Sequence, residues 1–178
     1  MNLNERTVRS ETIFDGKIIK VKKDQAELPN GDLANREVVE HPGGVCVLAL
    51  DEDGSVTLVR QFRYPIQQQL LELPAGKLEY GEDHYAAAVR ELSEETGLEA
   101  EEWTYLGYFL SSPGFCTEKI HMYLARKLTR QRQHLDEDEF LDVLVMPFEA
   151  LVEQVMDNTV TDGKTAAAAL KTKVLLGL

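Results

Sequence analysis

Along residues 1–40 apolar and polar positions alternate, the period of a strand with one covered face. The stretch "TVRSETIFDGKIIKVKKDQAELPNGDLANREVVEH" breaks at Asp15-Gly16 and again at Pro29-Asn30-Gly31. Both are turn chemistry. The pattern predicts a small antiparallel strand unit over 1–42, ended by "HPGG". "VCVLALDEDGSVTLVRQFRYP" then reads as two apolar strands joined around Asp53-Gly54, a hairpin signal. "QQQLLELPAGKLEYGED" predicts another short strand and a loop bearing Pro and Gly. The period changes to helical over 83–96, with Asp83 placed as N-cap, "AAA" supplying propensity and Gly97 placed at C′. Tyr85, Ala88, Val89, Leu92 and Thr96 recur at helical spacing as the predicted buried stripe. "EEWTYLGYFLSSPG", "KIHMYLARKL" and "LDVLVMPF" predict strands, and "FEALVEQVMDN" and "TDGKTAAAALKTKVLLGL" predict two closing helices. Strands interrupted by one helix suggest a mixed α/β or α+β layer domain over 43–178, rather than repeated βαβ units.

The chain has 178 residues, 43% of them apolar and 28% charged, with a net charge of −12. This is an ordinary globular profile, long enough to bury a core. The acidic balance argues against nucleic acid or an anionic membrane as partner, because both need a basic surface. A small anionic ligand stays possible, since a local arginine or a metal overrides the overall field. No apolar run reaches the roughly 18 residues of a membrane span. Two cysteines, Cys46 and Cys116, make no disulfide framework and no secretory signal precedes them. Reduced thiols in a cytoplasmic protein are expected.

The helix ends in "RELSEETGL", which poses a physical problem. Glu91, Glu94 and Glu95 lie by the negative pole of the helix, and Glu91 and Glu95 repel one another across one turn. At about 100° per residue those two share a face, with Glu94 further round, all three expected at the edge of the core stripe. Hard divalent cations take oxygen ligands from carboxylates and carbonyls, so one ion or a close pair would remove the repulsion. Acidic helix faces are also commonly just solvated, and Arg90 and Glu94 are spaced for a surface pair.

The surrounding "GKLEYGEDHYAAAVRELSEETGL" runs from Gly76 through Glu82 to Arg90-Glu91-Leu92, then Glu94-Glu95, Gly97 and Leu98. It resembles the signature of the Nudix hydrolases at each defined position. The resemblance implies a Nudix fold, a mixed sheet sandwiched between helices, and Mg²⁺- or Mn²⁺-dependent hydrolysis of a nucleoside diphosphate linked to another group. It implies metal-ligand roles for Glu91 and Glu95, with Glu94 a further ligand or catalytic candidate and Ala75 a source of a carbonyl ligand. It makes Arg90 and Glu82 the pair bracing the loop on the helix, and Gly76 and Gly97 positions where a side chain would obstruct. Such chemistry suits the residues, because divalent ions offset pyrophosphate charge and acidify a bound water while a carboxylate takes its proton. No G-x-S-x-G, Walker loop, H-E-x-x-H or C-x-x-C competes.

"LVRQFRYPIQQQLLELPAGKLEYGE", "GYFLSSPGFCTEKIHMYLA" with Pro113, "LPNG…REVVEHPGG" and "DGKTAAAAL" resemble the ADP-ribose pyrophosphatase branch of that family. The implied reaction is cleavage of ADP-ribose to AMP and ribose 5-phosphate. Other nucleoside diphosphate sugars, dinucleotides or oxidised nucleotides are alternative substrates, and a non-catalytic nucleotide-sugar-binding module is a third reading. In this branch the N-terminal strands intertwine in a homodimer, and Arg36 and Glu37 match positions that reach adenine from the partner chain. Exposed charges on an edge strand are the plainer explanation of that pair. Arg63 matches an arginine that holds substrate near the adenine or the phosphates, a task suited to a planar guanidinium. Glu72 is a candidate for substrate or metal contact and equally for bracing the loop. The acidic run "LDEDEF" is a solvated turn on pattern alone. By resemblance it carries the base, with Glu137 favoured and Glu139 a second metal contact, although the two can exchange roles.

Overall fold

The computed structural model describes residues 2–135 and 140–178. The chain divides into two compact units, Met1–Gly43 with Leu110–Lys119, and Gly44–Phe109 with Ile120–Leu178.

The first unit is an antiparallel sheet of β1 (Arg6–Asp15), β2 (Lys20–Glu27) and β3 (Leu33–Glu40), in the order β1-β2-β3. The turns fall at the two Gly-bearing breaks read from sequence. Leu110–Lys119 is tied to β3 by backbone bonds, Val39 N–H to Phe115 O at 2.7 Å and Thr117 N–H to Val39 O at 2.9 Å. Every residue of β1 is exposed, including Val8, Ile13 and Phe14. Ala26 is the hydrophobic residue of these strands that is fully covered, so this sheet has little core of its own.

The second unit is built on a mixed sheet. β4 (Gly44–Leu50) runs between β5 (Ser55–Arg63), antiparallel to it, and β9 (Lys119–Arg130), parallel to it. β10 (Leu141–Pro147) extends the sheet beyond β5 and β8 (Leu98–Leu110) beyond β9, while β6 (Gln68–Glu72) pairs with β5 and β7 (Ala75–Lys77) with β4. All of β4 is buried, and its period-two alternation divides two cores. Cys46, Leu48 and Leu50 pack with Phe148, Leu151, Val152, Ala168 and Ala169 of α2 (Phe148–Met156) and α3 (Gly163–Leu176). Val45, Val47 and Ala49 pack with Ala87, Ala88 and Leu92 of α1 (His84–Thr96). The sheet is thus sandwiched between helices, as the sequence led one to expect. Both cysteines are free thiols. No helix among the described residues is long and apolar enough to cross a membrane.

Helix α1 starts and stops where its caps dictate. The Asp83 carboxylate accepts from the amides of Tyr85 and Ala86, each at 3.0 Å, answering two of the donors a helix start leaves unpaired. Gly97 ends the helix at φ 68°, a left-handed conformation that favours glycine. An added Cβ there would lie 2.6 Å from the Gln131 carbonyl oxygen, so the position needs glycine twice over. The buried face differs from the predicted stripe. Tyr85 is 44% and Val89 39% exposed, and the buried residues are Ala87, Ala88, Glu91, Leu92 and Glu95. Two of the three carboxylates therefore lie within the covered face, not at its edge.

Candidate active site

β7 and α1 face each other across the acidic cluster. Gly76 lies where β7 pairs with Val45 of β4, and an added Cβ would fall inside the Glu91 carboxylate. The absence of a side chain at 76 is what lets Glu91 lie against the strand backbone. Next to it, the Ala75 amide donates to Glu95 Oε2 at 2.8 Å. Glu91 and Glu95 are 7% and 2% exposed. Burial of two carboxylates on one helix face is costly, and here it is accommodated where glycine at 76 and the Ala75 amide meet the helix.

Arg90 is the cation of this cluster. It meets Glu82 at 3.2 Å, Glu91 at 2.9 Å and Glu94 at 2.8 Å. Burial acts to lower the arginine's pKa, but these carboxylates outweigh it and raise it above the ordinary value. The loop residue Glu82 is thereby joined to the helix, in the pairing the motif implies. The end of α1 is closed by the segment that follows β9. Gln131 N–H donates to Gly97 O at 2.6 Å, His134 N–H to Glu94 O at 3.2 Å and Gln133 Nε2 to Glu95 O at 2.6 Å.

The donor set suits a hard divalent cation: carboxylate oxygens on a helix, with a strand backbone alongside. Among the described residues no group of three or more His, Cys, Asp or Glu side chains is already gathered to hold an ion. Glu91 and Glu94 turn to Arg90, and Glu95 to an amide, so a shared ion would compete with those partners.

Arg63 and Glu72 form a second centre. The guanidinium binds the carboxylate through two parallel bonds, Nε to Oε1 at 2.7 Å and Nη2 to Oε2 at 2.6 Å. Glu72 is fully buried, whereas the Arg63 side chain is 39% exposed. Burial works to raise the Glu72 carboxyl, but the hydrogen bonds from Arg63 and the charge of Lys164 hold it below the usual carboxylate range. Lys164 Nζ donates to Glu72 Oε2 and, at 3.0 Å, to Asp162 Oδ1. Sequence reasoning missed Lys164, Asp162 and Thr165. The signal available was a lysine at the start of a helix, where the positive pole disfavours it.

Arg36 and Glu37 lie on β3 in the first unit. Arg36 makes two bonds to Glu5, at 2.9 and 2.6 Å, and Glu37 is exposed. Glu137 and Glu139 lie outside the described residues. His121 is on β9, its ring stacked on His84 at 4.0 Å and its Nδ1 2.9 Å from the Tyr105 hydroxyl. Cys46 is no nucleophile, since burial pushes its thiol up to about 12.

Comparison with known proteins decides the family. The NUDIX domain model matches residues 40–168, which is most of the chain. The protein belongs to the Nudix family. A second model, the nucleoside diphosphate sugar hydrolase N-terminal domain, matches residues 5–39. The Nudix chain is 44% identical over 169 residues to an ADP-ribose pyrophosphatase of Bacillus subtilis (strain 168), covering 94% of this chain and 91% of that one. It is 42% identical over 166 residues to a methanol dehydrogenase activator of Bacillus methanolicus, covering 92% and 90%. The crystal structure of an ADP compounds hydrolase superposes with a TM-score of 0.86 at 22% identity, covering 99% of this chain and 97% of that one. That match speaks for the fold. Nudix hydrolases generally need a divalent cation, in keeping with the oxygen donors gathered on α1.

Proposed function

We propose that this Nudix protein hydrolyses the pyrophosphate bond of ADP-ribose, giving AMP and ribose 5-phosphate. The observation that carries the chemistry is the pair of buried carboxylates, Glu91 and Glu95, set against Gly76 and Ala75. The substrate choice is supported by the similarity to an ADP-ribose pyrophosphatase over most of both chains. Magnesium is the proposed ion, with manganese the alternative, held by Glu91, Glu95, Glu94 and the Ala75 carbonyl. When bound, the ion offsets charge on the pyrophosphate and lowers the pKa of a water.

The chain's own residues do the rest. Arg90 holds Glu91 and Glu94 in reach and fixes Glu82 and its loop on α1. Arg63 uses Nε and Nη2 on Glu72, so Nη1 and the exposed part of the guanidinium are directed to the substrate phosphates or the adenine. Glu137, or Glu139 in its place, takes the proton of the attacking water. The hydrogen bond from His134 N–H to Glu94 O supports that assignment, since it fixes residue 134 at the acidic end of α1. Arg36 and Glu37 serve the adenine of a partner subunit in a homodimer intertwined through the N-terminal strands. The wholly exposed β1 with its apolar residues supports such a dimer. A reduced, cytoplasmic setting fits the two free thiols.

Incubation with ADP-ribose and Mg²⁺ followed by chromatography tests the reaction directly. AMP and ribose 5-phosphate are expected, and their absence at micromolar enzyme rejects the assignment. ADP-glucose, NADH, diadenosine polyphosphates and 8-oxo-dGTP in parallel rank the competing substrates. A monomer mass by light scattering would reject the dimer.

A further inference from the structure

Lys164 is the second residue of α3, where the helix dipole disfavours a cation, and its side chain is only 9% exposed. Lysines are rarely buried unless paired. Two carboxylates answer this one, Asp162 at 3.0 Å and the fully buried Glu72. Glu72 in turn carries Arg63. Its Oε2 accepts from both Lys164 Nζ and Arg63 Nη2, and its Oε1 accepts from Arg63 Nε. A bidentate pair fixes the guanidinium roughly in the plane of the carboxylate. Whatever fixes that plane therefore fixes Arg63.

We propose that Lys164 is a positioning residue that sets substrate affinity through Glu72 and Arg63. This rests on the reading above, in which Arg63 touches the substrate. Glu72 is fully buried, and Lys164 gives its Oε2 a second charged donor beside Arg63 Nη2. The first turn of α3 locks the next residue as well. Leu73 N–H donates to Thr165 Oγ1 at 2.9 Å, and Thr165 Oγ1 donates to Asp162 Oδ2 at 2.6 Å. Asp162 thus divides its oxygens between Lys164 and Thr165, and the carboxylate and the backbone following it are set from one helix end.

The test is a double-mutant cycle of Lys164→Met and Arg63→Ala, with KM and kcat for ADP-ribose and the calorimetric Kd for ADP-ribose without metal. A folded circular dichroism spectrum is required of each variant. Lys164→Met is expected to raise KM and Kd about tenfold with kcat within about twofold, and to add nothing in the Arg63→Ala background. Equal fold-changes in both backgrounds, or a fall in kcat alone, overturn the proposal. Should Lys164→Met not fold, Glu72→Leu/Lys164→Met removes both buried charges together. That variant is expected to match the KM and Kd of Arg63→Ala, and wild-type values overturn the proposal. Wild-type protein that binds ADP-ribose but forms no AMP rejects the reaction assigned above, and the cycle is then decided by Kd. If Arg63→Ala itself leaves both KM and Kd unchanged, Arg63 does not touch the substrate and the positioning role falls with it.

Discussion

Helix α1 ends with Glu91, Glu94 and Glu95 at its negative pole, whereas α3 begins with Lys164 at its positive pole. Both placements oppose the dipole. Around α3 the charges balance locally. Lys164 and Arg63 share Glu72, Asp162 faces Lys164, and every partner is within hydrogen-bond reach. Around α1 negative charge is in excess, because three carboxylates, Glu82, Glu91 and Glu94, draw on Arg90, while Glu95 accepts from the Ala75 amide and also feels the charge of Arg63. A balanced buried network is suited to holding things still. An excess of buried negative charge is suited to taking up a cation. The same violation of helix electrostatics therefore has opposite meanings at the two sites.

The largest effect expected from this contrast is on turnover. Glu95→Gln keeps the shape of the side chain and removes one charge. The loss of one ligand should cost several kcal/mol of transition-state stabilisation, about a thousandfold in kcat/KM or more. Without metal the same variant should melt no lower than wild type, since it relieves a like-charge neighbour and an anion at the wrong pole. Addition of Mg²⁺ should raise the wild-type Tm and leave that of Glu95→Gln nearly unchanged. A variant with full activity, or with a wild-type response to the ion, would reject Glu95 as a ligand.

The balanced site should show the reverse, a large loss of stability that metal does not influence. Lys164→Ala leaves Glu72 and Asp162 short of a buried partner. Removal of one member of a buried pair costs about 3–5 kcal/mol, and urea unfolding without metal measures it. Replacing both charges with apolar residues, as in Glu72→Leu/Lys164→Met, should cost less than Lys164→Ala alone. If the double variant is instead the weaker by the full sum of the singles, the network is not coupled as its geometry indicates.

This contrast also explains what the sequence made legible. The caps of α1 were legible because Asp83 and Gly97 act on the backbone within a few residues. The hairpin at Asp53-Gly54 and the two N-terminal turns were legible for the same local reason. The buried stripe was misplaced because spacing assigns carboxylates to solvent and leaves Tyr85 and Val89 to the core. Only the approach of Gly76 on β7, set by its pairing with β4, makes room to bury Glu91. Lys164 was illegible for a stronger reason. Its partner Glu72 is 92 residues earlier in the chain, and "DGKT" looks like any solvated helix start. Pairings of that range are decided by the sheet, which brings β6 and the start of α3 together.

Acid provides a graded test of the balanced site. The folded pKa of Glu72 is lowered from the ordinary 4.5, so its contribution to stability is complete above about pH 4.5 and is lost as pH falls through the folded value. Urea unfolding of metal-free protein should therefore show a loss of stability as pH falls below 4.5 that is smaller in Glu72→Leu/Lys164→Met. Identical slopes in the two proteins would place the acid sensitivity elsewhere.

The smallest effect expected is at Glu94, and it sharpens the comparison most. Its side chain is 35% exposed, and its bond to Arg90 spans one helical turn at 2.8 Å. Exposed pairs of this kind contribute about 0.3–0.5 kcal/mol, and an anion at the C-terminal pole costs about as much. The two nearly cancel, so Glu94→Gln should shift metal-free stability by less than about 0.5 kcal/mol. With that baseline flat, the change caused by Mg²⁺ can be read directly. A Tm rise in Glu94→Gln smaller than in wild type assigns Glu94 to the ion with Glu91 and Glu95. An undiminished rise joined to a loss of kcat would instead give Glu94 a role on the water or the substrate. An undiminished rise with normal kcat would return it to the solvated surface pair that its spacing with Arg90 already describes.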